Sequence, residues 1–417
     1  MTLYLSGPSS PVKNASISIT GSKSESNRLL LLQALYPELT IENLSNADDV
    51  KVMKEGLKVT TGTVDIHHAG TAMRFLTAYF ATKENAEITL TGSSRMQERP
   101  IKVLVDALRQ LGADIEYLKN EGYPPLRIRG KKLDKSNVSL PANISSQYIS
   151  ALLLVAPAMQ KGLKLELLGE ITSVPYIKMT LSLLKEIGIK SSFSGNKITV
   201  SPTDTISARS IMVESDWSSA SYFYSIAAFS QIGTHLELTS YKAESLQGDR
   251  VLADIYTHFG VETRIEGETL HLMKNAHPSP PGEDKDEVYN FHLADAPDIA
   301  QTIAVNCFGL GLGCRITGLH TLKIKETDRL EALKTELTKL GAHIEVSDHH
   351  LEMTAVDHIN KAVSIATYKD HRMAMAFAPL ALKTDLYIEE AAVVSKSYPD
   401  FWRDLEQLNF QIRRKDQ

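Results

Sequence analysis

A chain of 417 residues is longer than a single hydrophobic core usually grows, so two domains are expected. Hydrophobic content of 43% and charged content of 23% are those of a globular protein, and 50 acidic against 45 basic residues give a formal charge of -5. That balance argues against nucleic acid or an anionic membrane as global partners, so any anion has to be gathered by local clusters of cations. No apolar run approaches the ~20 residues of a bilayer span, and MTLYLSGPSS lacks the basic start and apolar core of a secretion signal. Cys307 and Cys314 make neither a disulfide framework nor a four-ligand metal set, which fits a reducing cytoplasm.

In chain order, the first notable element is GSKSESNRLLLLQAL from Gly21. Ser22 or Ser24 is placed to cap a helix, with Lys23 and Arg28 beside its free N–H groups. HHAGTAMRFLTAYFA (67–81) follows, where Gly70 admits a ligand close to the backbone and Thr71 starts a helix carrying Arg74. GSSRMQERPIKVLVDAL (92–108) repeats the plan with Arg95, Arg99 and Lys102. PANISSQYISALLLVAPAM (141–159) sets Ser145, Ser146 and Gln147 at the start of an apolar helix, and ITSVPYIKMTLSLL (171–184) does so with Ser173 and Tyr176 around Pro175.

ADAPDIAQTIAVNCF (294–308) opens a nearly uncharged helix with Asp295 and Asp298, each readable as a plain N-terminal cap or as a base for a bound hydroxyl. KIKETDRLEAL (323–333) concentrates Lys323, Lys325, Glu326, Asp328 and Arg329, YKDHRMAMAFAPLAL (368–382) offers Lys369, His371 and Arg372, and VSKSYPDFW (394–402) places Lys396 in a turn. Any one of these segments alone reads more readily as a solvated helix start with its charges facing water. Six cationic segments in an acidic chain point to a substrate set with several anionic groups, because guanidinium forks grip carboxylate and phosphate in two places.

A second pattern runs beneath the first. LVDALRQLGADIEYL, LSLLKEIGIKSSF, LADIYTHFGVETRI and LEALKTELTKLGAHIEV are each a helix ended by glycine and followed by a strand. Their glycines, Gly112, Gly188, Gly260 and Gly341, stand 76, 72 and 81 residues apart, and fainter copies lie at VMKEGLKVT (52–60) and DLEQLNFQI (404–412). Six copies of one α/β unit are implied. The chain has no GxGxxG unit, P-loop or HExxH pair, so neither a nucleotide cofactor nor a metal is expected.

GSKSESNR, AGTAMRFL, RMQERPI, SSQYISALLL, SVPYIKMTL, SDWSSASYF, PDIAQTIA, KETDRL, DHRMAMAF and KSYPDF, in this order, resemble the 5-enolpyruvylshikimate-3-phosphate synthase family across essentially the whole chain. The resemblance implies a two-domain inside-out α/β barrel, each domain three βαβαββ repeats with buried helices and outer sheets. It implies one domain over 21–213 on the shikimate 3-phosphate side and another, 1–20 plus 214–417, on the phosphoenolpyruvate side, with the active site in the cleft between them. The implied reaction transfers the enolpyruvyl group of phosphoenolpyruvate to the 5-hydroxyl of shikimate 3-phosphate, without metal or cofactor.

Carried over position by position, the family pattern assigns Lys23 to both substrates. Ser24, Arg28, Ser145, Ser146, Gln147, Ser173, Tyr176 and Lys325 go to shikimate 3-phosphate, and Gly70, Arg95, Gln147, Arg329, Arg372 and Lys396 to phosphoenolpyruvate. Asp298, rather than Asp295, becomes the base on the 5-hydroxyl and Glu326 the acid at the methylene carbon. His68, Thr321 and Trp217 depart from the common pattern, and GSS before Arg95 does too. The related transferase acting on UDP-N-acetylglucosamine is disfavoured, because no cysteine lies near Arg95. Glyphosate is expected to compete with phosphoenolpyruvate and to be weakened by Gly70→Ala. A cytoplasmic monomer is expected, since no exposed heptad advertises a partner.

Overall fold

The computed structural model describes residues 1–142, 145–169, 171, 174–279 and 288–415. These residues form two compact units, Gly21–Val213 and the discontinuous Met1–Thr20 plus Glu214–Gln417, each with its own hydrophobic core.

Five four-stranded sheets and one two-stranded sheet occur among the described residues. The four-stranded ones share one plan, seen in the sheet built from residues 61–129. Strands Thr61–Asp65 and Glu87–Thr91 run parallel, joined by the helix Gly70–Thr82. The helix Lys102–Gln110 then leads to Asp114–Tyr117, which turns back as a hairpin into Leu126–Arg129, itself antiparallel to Glu87–Thr91. That is βαβαββ.

In the discontinuous unit the plan is kept by permutation. Asn14–Ile17 lies parallel to His235–Thr239, and Leu3–Ser6 sits between Leu386–Ile388 and Gln411–Arg414, antiparallel to both. The sixth copy is reduced. Leu39–Glu42 pairs in parallel with Arg209–Met212 alone. The helix Asp48–Lys58 passes through only Val59 and Thr60 before Thr61–Asp65 begins the next sheet, so no chain is left for a hairpin.

The glycine stops follow from backbone sterics: Gly112, Gly188, Gly260 and Gly341 have φ of +105°, +90°, +74° and +106°. Asn409, at φ +64°, takes the same left-handed position in the copy without glycine. Gly56 does not. It lies inside the helix Asp48–Lys58, where a Cβ would come 2.6 Å from Leu76 Cδ1, so its role is close helix packing.

The central helices are buried nearly all round. Every residue of Ala300–Gly309 and all but the last of Gly70–Thr82 are shut from solvent. This explains why their sequences are small and apolar without an amphipathic stripe. Alternation returns on the sheets, as in His235–Thr239, where Leu236 and Leu238 point inward and their neighbours do not.

Candidate active site

In the Gly21–Val213 unit the predicted residues lie at the starts of packed helices. Arg28, on the first turns of Lys23–Leu35, is buried and spreads its fork over three neighbours. Nε donates to Thr180 Oγ1 at 2.8 Å, Nη2 to Ser150 Oγ at 2.9 Å, and Nη1 to the Ser24 carbonyl at 2.8 Å. Its guanidinium also lies 5.5 Å from the Phe75 ring centre and 5.9 Å from that of Tyr176. Burial pulls its pKa down to about 10, with Tyr176 and Glu25 acting the other way. Three N–H groups are thus tied to neutral oxygens, and the remaining two of the five suit a carboxylate.

Around this pivot, Gln147 donates from Nε2 to Thr71 Oγ1 at 3.2 Å, bringing the helices Ser146–Val155 and Gly70–Thr82 together. Ser145 caps the former by accepting from the Gln147 N–H. Lys23 pairs with Asp49 at 3.4 Å. Arg95 is half-exposed and pairs with Glu98 at 3.1 Å. Ser173 lies outside the described residues.

Several local expectations change. Ser22 occupies the N-cap position without a side-chain capping bond, and Ser24 lies inside the helix. Thr71 is the second helical residue, after Gly70. Arg74 faces inward, donating to the Gly70 and Pro100 carbonyls at 3.2 and 3.1 Å, so it braces the loop and is withheld from ligand. A Cβ on Gly70 would come 2.8 Å from Nη1 of Arg99, the movable end of a side chain. His68 Nδ1 lies 2.9 Å from Ser93 Oγ, and the Thr321 hydroxyl is buried with no hydrogen-bond partner among the described residues.

The discontinuous unit gathers a denser cluster. Asp298 lies in the short turn Pro297–Ile299, ahead of the helix Ala300–Gly309, and does not cap it. Its carboxylate takes Arg329 Nη1 at 2.9 Å, Arg372 Nη2 at 3.2 Å and Lys325 Nζ at 3.5 Å. Asp295 is exposed. Arg329 is the hub, because its Nε reaches Asp370 at 2.7 Å and its Nη2 reaches Glu326 at 3.0 Å. Asp370 also accepts the Arg372 N–H at 2.9 Å, capping His371–Phe377.

That helix start is held by a costly turn. Tyr368 and Lys369 are consecutive left-handed residues at φ +53° and +57°, and the Lys369 carbonyl accepts from Lys396 Nζ at 2.7 Å. Two such residues cost about 1–3 kcal/mol each, which the anchored Asp370 and Lys396 offset.

Accessibility divides the cluster. Side chains of Asp298 and Glu326 are 19% and 20% exposed, whereas Arg329 and Asp370 are at 2% and 0%. The first pair is partly open to solvent and the second is closed to it. Burial alone would raise the Asp298 pKa, yet Arg372, Lys325 and Arg329 outweigh it and hold the carboxyl well below the usual range. Lys325 is raised by Asp298, but burial and the two guanidiniums prevail and its pKa falls. Arg372 also donates to the Asp298 carbonyl at 3.0 Å and to Ser218 Oγ at 3.2 Å, and Ser218 in turn bonds Asp249. Burial first, then the charge of Asp298, push Asp249 up to about 7.

Ser150, Thr180, Ser218, Asp249 and Asp370 are absent from the sequence reading. Only Asp370 left a signal there, as the aspartate one residue before a cationic helix start in YKDHR.

Each unit therefore presents fork-shaped and lysine cations at helix starts, chemistry suited to small polyanions. The model of the EPSP synthase (3-phosphoshikimate 1-carboxyvinyltransferase) family matches residues 58–405. The chain is 45% identical over 414 residues to a 3-phosphoshikimate 1-carboxyvinyltransferase of Bacteroides fragilis, covering 98% of both chains. It is 37% identical over 432 residues to one of Haemophilus influenzae, covering 94% of this chain and 96% of the relative. An EPSP synthase structure from Acinetobacter baumannii shares the fold with a TM-score of 0.79 at 19% identity, over 99% of this chain and 100% of that one. The chain belongs to the EPSP synthase family.

Proposed function

We propose that Asp298 is the base and Glu326 the acid in the reaction of this family, transfer of the enolpyruvyl group of phosphoenolpyruvate to the 5-hydroxyl of shikimate 3-phosphate. Phosphate is released, and the product feeds aromatic amino-acid biosynthesis. The observation that carries the assignment is the Asp298 carboxylate, partly exposed where Arg329, Arg372 and Lys325 meet.

The low pKa of Asp298 at first argues against a base, since such a carboxylate holds protons weakly. Substrate anions resolve this. Phosphate and carboxylate oxygens on Arg372 and Lys325 screen the cations from Asp298, so its proton affinity rises as the substrates arrive. Asp298 then takes the 5-hydroxyl proton as that oxygen attacks the central carbon of phosphoenolpyruvate, and Glu326 gives a proton to the methylene carbon. The Glu326 carboxylate takes a proton back from the new methyl group as phosphate departs with the proton held by Asp298, which restores the double bond and completes the transfer.

Ser24, Arg28, Ser145, Ser146, Gln147, Ser173, Tyr176 and Lys325 hold shikimate 3-phosphate in this reading. Gly70, Arg95, Gln147, Arg329, Arg372 and Lys396 hold phosphoenolpyruvate, and Lys23 serves both. Glyphosate occupies the phosphoenolpyruvate site, and Gly70→Ala weakens it by displacing the Arg99 guanidinium. The enzyme works as a cytoplasmic monomer; no helix among the described residues is long and apolar enough to cross a membrane.

The test is phosphate release with purified chain. Release with shikimate 3-phosphate and phosphoenolpyruvate supports the reading, and release only with UDP-N-acetylglucosamine as acceptor overturns it. Asp298→Ala is expected to lower kcat by about 10²–10⁴-fold while both substrates still bind. Full turnover in that variant would remove Asp298 from its role.

A further inference from the structure

The outer face of one sheet in the discontinuous unit carries a cluster that the reaction does not use. His235 and Glu237 stand two residues apart on the strand His235–Thr239, so both leave the same face, while Leu236 and Leu238 fill the core. The antiparallel register sets His271, on Thr269–Lys274, directly opposite Glu237. His235 Nε2 lies 3.0 Å from His271 Nδ1, and Glu237 Oε1 lies 3.7 Å from His271 Nδ1 and 4.0 Å from His235 Nε2. The three donor atoms therefore form a small triangle.

That triangle has the size of a metal site. Three ligands at about 2.0–2.1 Å from a tetrahedral ion stand about 3.3–3.4 Å apart, and the observed edges bracket this value. The carboxylate is too far from either ring for a hydrogen bond, yet its Oε1 lies within 4.0 Å of a nitrogen on each. The side chains are 33%, 40% and 17% exposed for His235, Glu237 and His271, so they can turn their lone pairs inward without disturbing the core. Arg264, across from His271 on its other side, is neutralised by Glu262 at 2.7 Å.

We infer that His235, Glu237 and His271 bind a divalent transition-metal cation of the zinc class, with water in the remaining position, clamping the two strands together. Two imidazoles and one carboxylate suit zinc, nickel or copper and not magnesium, which demands an octahedron of oxygens. Binding displaces the proton shared between the rings, so it weakens as the histidines protonate.

The experiment is calorimetric titration of the untagged full chain with zinc chloride, with magnesium chloride as control. One zinc per chain is expected, weakened about 100-fold in His235→Ala or His271→Ala and about 10-fold in Glu237→Gln. Cobalt should give the visible absorption of a four-coordinate site, and zinc should raise the Tm of the parent but not of the histidine variants. Glu237→Gln keeps the test open should a histidine variant fold poorly. Absence of zinc uptake, or equal affinity in the double histidine variant, overturns the proposal.

Discussion

The two units hold their buried guanidiniums in opposite ways. Arg28 rests on hydroxyls and a carbonyl, from Thr180, Ser150 and Ser24, whereas Arg329 is shared by the carboxylates of Asp298, Glu326 and Asp370. The neutral cradle leaves the Arg28 charge uncompensated by its hydrogen-bond partners, at the cost of a depressed pKa. The acidic cradle raises the Arg329 pKa and fixes the fork, but ties the cation to Asp298 and Glu326, the carboxylates proposed as base and acid. A buried cation can thus be held among neutral oxygens, which leave its charge uncompensated, or among carboxylates that share it.

The largest expected effect comes from breaking the acidic cradle. Arg329→Met takes the guanidinium from the buried Asp370 carboxylate and leaves it only the Arg372 N–H and the His371 ring, and chemical denaturation should show a loss of about 3–5 kcal/mol alongside lost activity. A stability within 1 kcal/mol or so of the parent would mean that Asp370 finds another partner.

Next is the pH response of Asp249. Its carboxyl titrates at about 7 in the folded chain against a usual 3.8, so between these values the native state carries more proton than the unfolded one. Stability therefore falls as pH rises through that window, and the loss persists above it. Asp249→Asn should remove the decline and leave the chain roughly 2–4 kcal/mol more stable than the parent near pH 8, read from urea midpoints across pH.

The smallest stability effect is expected in the neutral cradle. Without the guanidinium, Thr180 Oγ1 still donates to Ser150 Oγ at 2.9 Å, so Arg28→Met leaves neither of these hydroxyls unbonded. It should cost about 1–2 kcal/mol while sharply weakening shikimate 3-phosphate in equilibrium binding. A stability loss as large as that of Arg329→Met would erase the contrast between the units.

Much of this was legible in the sequence because it rests on local rules. Four glycines marked four helix ends, since only glycine takes φ near +100° cheaply, and small apolar helices announced burial on every side. Gly56 misled, because a helix-packing glycine and a stop glycine look alike when an apolar helix face precedes both. The missing hairpin after Asp48–Lys58 depends on a linker of two residues, which periodicity does not weigh. Lys325, Glu326, Arg329 and Arg372 were found as charges at helix starts, but their mutual pairing through Asp298 and Asp370 depends on long-range packing. Ser150 and Thr180 sit inside apolar helix runs, where a hydroxyl reads as filler until Arg28 is seen against it. His235, Glu237 and His271 meet only through strand register across 36 residues.

The strand Leu3–Ser6 has a consequence for biogenesis. It lies between Leu386–Ile388 and Gln411–Arg414, so an early segment of the chain has its neighbours among segments made much later. The continuous stretch Gly21–Val213 can fold as soon as it emerges, its two-stranded sheet closed by Arg209–Met212 near its own end. Met1–Thr20 must wait until the stretch from Glu214 onward has been made, and a chain cut before Gln411–Arg414 would lack the edge that completes their sheet.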